Sequence, residues 1–140
     1  MKSTLSFFLI AIFIITSCGE QKKNTKDQLY DKVMAVHDEI MPKMGDIMKY
    51  KKQLKAKIAE LVVAGQEENE AKIAELTKAV DDLENSHEEM MNWMREFDND
   101  FDGMVQEQVM AYLKDQMTKI ENVGKATYTA IKNAQELLAD

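Results

Sequence analysis

The sequence has few of the residues that crosslink a chain or interrupt helices. It contains one Cys, one Pro and five Gly among 140 residues. A single Cys excludes an internal disulfide and a zinc site built from several thiolates. Because Pro and Gly are scarce and 45% of the residues are apolar, the composition favours a single helical globular domain over a disordered chain.

Basic charge is also in short supply. The chain has 18 Lys and Arg residues against 25 Asp and Glu residues, a net charge of −7. Since phosphate backbones attract basic surfaces, this balance argues against a nucleic-acid partner. The sequence also lacks a nucleophile elbow, an H-E-x-x-H motif, a phosphate-binding loop and a C-x-x-C-H haem attachment motif. We therefore expect a protein that is not an enzyme.

The N-terminal segment has the parts of a bacterial lipoprotein signal peptide in the usual order. Lys2 precedes an apolar run over 5–15, and small residues lead into Cys18. That run is too short to span a bilayer comfortably, although an uncleaved anchor helix is the alternative. The pattern predicts that residues 1–17 are removed, that Cys18 is acylated and that the mature chain is anchored in the cell envelope. Gly19 replaces the aspartate that favours inner-membrane retention, which indicates the outer membrane.

The mature chain is predicted to begin with a tether and to continue as helices. We expect residues 18–26 to form the lipidated Cys and a flexible linker, because 19–26 are polar and lack apolar anchors. Thr25 and Gln28 then fit the T-x-x-Q capping box that starts many helices. Apolar residues stepping by three and four predict a domain over 27–140 that contains helices over 27–63, 68–97 and 104–138.

The links between these helices predict how they pack. Gly65 and the polar residues up to Asn69 are typical of a tight turn between the first two helices. If the chain folds back there, facing residues have numbers that sum to about 131, and almost every resulting pair is apolar. We therefore predict an all-α fold, an antiparallel up-down-up three-helix bundle with coiled-coil-like layers.

Three single residues carry further expectations about packing. Pro42 lies inside the first predicted helix, where it removes a backbone hydrogen bond and crowds the carbonyl of Asp38, so we expect a kink. Gly124, in the third helix, most simply lets another helix approach closely. Trp93 is either a core residue, which we favour, or an exposed anchor for a partner protein.

The strongest candidate site is a motif that occurs twice, H-[DE]-E-x-M-x-x-M. Its potential ligands are His37, Met41, Met44, His87, Met90 and Met94. On a helix each copy presents one His and two Met on one face. Thioether and imidazole groups suit Cu(I), and His with Met can also ligate haem. The alternative, which we favour, is core packing, because Met fills irregular gaps well.

A second candidate site is acidic. Asp98, Asp100, Asp102 and Gly103 match the first half of an EF-hand calcium loop. The position that should supply a bidentate Glu is Val109, so the calcium ligand set is incomplete. The alternative is an acidic turn, in which Asp side chains cap the next helix and Gly permits the bend.

With the lipobox and the segments 37–45 and 91–98 in hand, the chain resembles a group of small uncharacterised Bacteroidota lipoproteins, some of which are labelled viral A-type inclusion protein. The resemblance implies a helical envelope protein and supplies no activity or functional residues. We expect a lipid-anchored, non-catalytic interaction or structural module with an envelope protein as partner. The alternative is an envelope protein that binds Cu(I) or haem.

Overall fold

A computed structural model describes residues 25–139, and this part of the chain is built of α-helices. Helix α1 spans Thr25–Ile40, α2 spans Lys43–Glu96 and α3 spans Gln106–Ala139. The long, bent α2 packs along α3, and α1 packs mainly against α3. The all-α prediction is thereby confirmed. The predicted signal peptide and Cys18 lie outside the described residues.

The boundary between α1 and α2 lies at Pro42. Pro has no N–H group to donate to the carbonyl of Asp38, so the helical hydrogen-bond pattern is interrupted there. The N–H of Met41 still donates to the carbonyl of His37 at 2.9 Å, and the N–H of Met44 donates to that of Met41 at 3.1 Å. Pro42 keeps near-helical angles of φ −60° and ψ −25°. The helix predicted over 27–63 is therefore divided at Pro42, the residue at which the sequence predicts a kink.

Helix α2 changes direction at Gly65, which has φ 136° and ψ 99°. Side chains seldom tolerate this backbone conformation, whereas Gly adopts it readily. Residues far apart in sequence meet across the bend: Nζ of Lys51 lies 3.1 Å from Oε1 of Glu84, and the rings of His37 and Trp93 have centroids 5.6 Å apart. The numbers of His37 and Trp93 sum to 130, close to the 131 predicted for a fold-back, whereas those of Lys51 and Glu84 sum to 135, about one helical turn away.

The core is aliphatic and follows a seven-residue repeat on all three helices. Its columns are Val33, Ile40, Ile47 and Leu54; Leu76, Leu83 and Met90; and Leu113, Ile120 and Thr127. A strict seven-residue spacing is the geometry of helices that supercoil around one another. The repeat passes from Ile40 to Ile47 without a change of phase, so the break at Pro42 does not disturb the core.

Helices α1 and α3 meet closely at Gly124. A Cβ atom built on Gly124 would lie 2.8 Å from Cδ1 and 3.3 Å from Cγ1 of Ile40. Ile40 is itself buried, so the absence of a side chain at Gly124 is what permits this approach. The expectation that Gly124 admits another helix is confirmed. Within residues 25–139, no helix combines the length and apolar character that a membrane span needs.

Candidate functional site

The four Met residues of the repeated motif are engaged in core packing. Met90 is fully buried and Met44 is 8% exposed. Met41 and Met94 are partly buried and pack against the same core. Their apolar surroundings fit the packing interpretation, in which flexible thioethers fill space beside the break at Pro42.

His37 makes two specific contacts. Its Nδ1 lies 2.9 Å from Oδ1 of Asp38, and its ring stacks on Trp93 with an interplanar angle of 29°. The side chain is 15% exposed. One ring nitrogen is therefore occupied by a carboxylate, and one ring face is covered by an indole. The sequence did not predict the contact with Asp38, because adjacent residues on a helix usually point in different directions.

His87, from the second copy of the motif, is partly buried on α2. Glu84, one turn earlier, is bound instead by Lys51, and this contact holds the pKa of the Glu84 carboxyl below its usual range. Among residues 25–139, no three His, Cys, Asp or Glu side chains are gathered as a metal ion would require. A soft-metal site would have to depend on the Met thioethers, and this site stays a prediction.

The fold-back pairing predicts that Tyr30 faces Phe101, but sequence reasoning missed the other members of a cluster of aromatic rings at the end of the molecule where α1 begins. Trp93 stacks on Phe97 at 4.8 Å between centroids, and Tyr30 lies 6.1 Å from Phe97 and 6.4 Å from Phe101. Tyr112 closes the cluster from α3. Trp93 is 5% exposed, which confirms that it is a core residue. The four-residue spacing of Trp93 and Phe97 could have predicted that their rings stack. The rings of Phe101 and Tyr112 come together only because of the path of the α2–α3 loop.

The acidic residues of that loop shape its backbone. The N–H of Asp100 donates to Oδ1 of Asp98 at 2.8 Å, and the N–H of Asp102 donates to Oδ1 of Asp100 at 3.0 Å. Gly103 has φ 78°, a conformation that Gly adopts without strain. Tyr112 anchors the loop by accepting a 2.7 Å hydrogen bond from the N–H of Asp98. Two of the three carboxylates thus hold local turns within the loop. These bonds do not cap α3, which begins at Gln106, so the acidic turn forms without the helix capping that we expect from the sequence.

Comparison with known proteins identifies no relative for this geometry. Neither a protein-family model nor a curated protein nor a solved structure matches the chain. The class that the structure itself defines is an all-α protein whose long bent helix packs with its neighbours.

Proposed function

We propose that the mature protein is a lipid-anchored three-helix bundle of the bacterial cell envelope and acts as a non-catalytic interaction or structural module. The observation that carries the proposal is the order of segments at the N-terminus: a basic residue, a short apolar run, small residues and Cys18, followed by a polar tether. This order is typical of a lipoprotein signal peptide. The tether leads into α1, which starts at Thr25.

Contacts between helices support the up-down-up arrangement. Lys51 meets Glu84 and His37 meets Trp93, and this opposite order of partners supports an antiparallel course for the two halves of α2. Helix α3 runs in the same direction as α1 and the first half of α2: the Tyr128 hydroxyl donates to Oε1 of Glu39 at 2.9 Å. Further along, Nε2 of Gln135 donates to the hydroxyl of Tyr50 at 2.7 Å.

The engagement of the candidate side chains supports a non-catalytic role. Met44 and Met90 pack in the core, the imidazole of His37 is held by Asp38 and Trp93, and the loop carboxylates hold turns. These contacts give each group a structural task that explains its position. A general acid or base would need a reacting proton within hydrogen-bond reach.

Acylation of Cys18 is tested by the Cys18→Ser variant of the full chain. We expect the wild type to sediment with membranes and to incorporate labelled palmitate when produced in a bacterium. The variant should do neither, because the acyl chains provide the anchor. Ser3→Ala, a conservative change in the same N-terminal segment, should behave as the wild type does. Membrane retention of Cys18→Ser would show that the apolar run itself is the anchor.

The soft-metal alternative is tested by Cu(I) competition against a chelator, with the wild type and a His37→Ala, His87→Ala double variant. We expect the same Cu(I) affinity for both, because the core holds Met44 and Met90 and His37 is engaged by its neighbours. Circular dichroism should show that the double variant remains helical. A clearly lower affinity of the double variant would establish the soft-metal site instead.

A further inference from the structure

A groove runs between the second half of α2 and α3. It has a volume of about 760 Å³, and Ser86, Ala126 and Ala130 contribute small side chains to its lining. Ser86 and Ala130 are buried, so they lie at the bottom of the groove. Because these side chains are small, a second protein surface could approach both helices closely.

The two sides of the groove carry opposite charge at matching intervals. Asp82 and Glu89 lie on the α2 side. Lys125, Lys132 and Glu136 lie on the α3 side, which keeps a net positive charge. The two α2 residues, like the two Lys residues, are separated by seven residues, about two helical turns, so each pair shares one face of its helix. Since the second half of α2 runs antiparallel to α3, Glu89 lies near the level of Lys125, and Asp82 lies near that of Lys132.

Of the five charged residues, Glu89 and Lys125 are available for contacts with another chain. Asp82 already pairs with Lys78 at 2.7 Å, and Lys132 lies 3.7 Å from Glu136. Within residues 25–139, neither Glu89 nor Lys125 takes part in an ion pair, and both are exposed. A contact between Glu89 of one copy and Lys125 of another would therefore replace water and no existing ion pair.

We propose that this groove is a self-association surface, on which a second copy of the chain binds in parallel about a two-fold axis along the groove. That axis places the acidic side of each copy against the basic side of its partner at the same level. A two-fold axis across the groove would instead make the copies antiparallel and would place acid opposite acid. Charge complementarity selects the parallel arrangement.

The parallel arrangement also agrees with the proposed anchor, and this point alone rests on the proposed function. Thr25 lies at the same end of both copies in a parallel dimer. Two tethers would then leave the dimer at one end and could enter one membrane. The groove and its charges are independent of whether Cys18 is acylated.

Charge reversal of the full chain in non-ionic detergent tests the dimer, with the protein mass measured by light scattering. We expect a dimer for the wild type. Asp82→Lys with Glu89→Lys makes both sides basic, and Lys125→Glu with Lys132→Glu makes both sides acidic, so each double variant alone should be a monomer. An equimolar mixture of the two should recover the dimer mass, since a basic groove then faces an acidic one.

Asp81→Lys with Glu88→Lys is the matched control. These residues are exposed on the same helix with the same spacing, but they do not line the groove. The control should remain a dimer, and circular dichroism should show native helicity for every variant. If a reversal lowers helicity, Glu89→Gln with Lys125→Gln provides the second measurement, and we expect a higher dimer dissociation constant.

A monomeric wild type, a dimer that survives both reversals, or folded variants whose mixture stays monomeric would each overturn the proposal. An unchanged dissociation constant in the neutral variant would do the same where the reversals lower helicity. None of these outcomes bears on the anchor, which membrane sedimentation of Cys18→Ser reports separately.

Discussion

Three polar side-chain atoms are buried without a hydrogen-bond partner in the described part of the chain. They are Nε1 of Trp93, Oε1 of Gln116 and Oγ1 of Thr127. A buried polar group that makes no hydrogen bond costs about 1–3 kcal/mol of stability. Thr127 is fully buried and continues the core column of Leu113 and Ile120, where an apolar residue would be expected.

The Thr127→Val variant replaces this hydroxyl with a methyl group of similar size. We expect the free energy of unfolding to rise by about 1 kcal/mol, because the unpaired hydroxyl is removed and the packing volume is kept. Urea denaturation followed by circular dichroism measures the change. Thr118→Val is the control: its exposed hydroxyl donates to the carbonyl of Lys114 at 3.2 Å, so we expect a change within about 0.5 kcal/mol. Destabilisation by Thr127→Val would show that the hydroxyl has a partner in solution.

At the scale of single residues, the sequence predicted which residues are buried better than it predicted which side chains touch each other. The seven-residue core repeat and the burial of Trp93 follow from spacing alone. The contact between His37 and Asp38 depends on side-chain rotamers, which the spacing does not determine. The buried hydroxyl of Thr127 is an exception to the rule that polar groups lie on the surface. A pattern based on that rule therefore does not explain why a hydroxyl occupies this core position.

Among the helices, α1 and α3 pack closely at Gly124. Gly124→Ala should lower the free energy of unfolding by about 1 kcal/mol, because the new Cβ crowds Ile40 by more than the better helix propensity of Ala returns. Ile40→Val removes the crowded Cδ1 atom. In that background we expect Gly124→Ala to be neutral or stabilising, and chemical denaturation of all four proteins measures the coupling.

Gly45→Ala is the matched control for that cycle. A Cβ at Gly45 would meet nothing within 4 Å, and Gly45 is exposed on α2. Helix propensity alone should then raise the stability by about 0.5–1 kcal/mol. Equal effects of Ala at both glycines would contradict the assignment of close packing to Gly124.

The ion pair between Lys51 and Glu84 joins the two halves of α2 and has a defined pH dependence. Because Lys51 holds the pKa of Glu84 below its usual range, the pair contributes stability above the usual carboxyl pKa and loses it as the pH falls through the lowered value. Glu84→Gln should therefore be less stable than the wild type at neutral pH and equally stable in acid. Glu88 is exposed like Glu84 but has no ion pair with Lys51, so Glu88→Gln is the control that leaves this pair intact, and thermal unfolding across pH measures both variants. A stability difference for Glu84→Gln that persists in acid would contradict the role of this pair.

At the scale of helices, the sequence predicted the outer ends to within two residues, but it missed the division at Pro42 and the continuation of α2 through Gly65. Pro42 predicted a kink, but a Pro either bends a helix or divides it, and the surrounding packing decides which. Gly65 predicted that the chain reverses its direction. The number of residues that the reversal needs depends on backbone angles, which the amino-acid sequence does not specify. In the aromatic cluster, the contact of Tyr30 with Phe101 follows from the fold-back pairing, whereas that of Phe101 with Tyr112 was missed because it depends on loop geometry.

For the whole molecule, the first and last described residues, Thr25 and Ala139, lie at opposite ends of the packed helices. Nζ of Lys26 lies 4.8 Å from the centre of the Phe101 ring, so the chain enters at the end that carries the α2–α3 loop. Nζ of Lys57 donates to the carbonyl of Leu137 at 3.0 Å, which places the end of α3 beside the Gly65 bend.

If Cys18 is acylated as proposed, this arrangement makes the molecule a spacer between the membrane and the Gly65 bend. The 34 residues of α3 span about 50 Å. If Cys18 is the anchor, whatever binds beside Val63, which is 88% exposed, is held at roughly that height above the lipid surface. Because the length of the helices sets this height, a longer or shorter tether would change how freely the molecule tilts more than it changes the distance that the helices span.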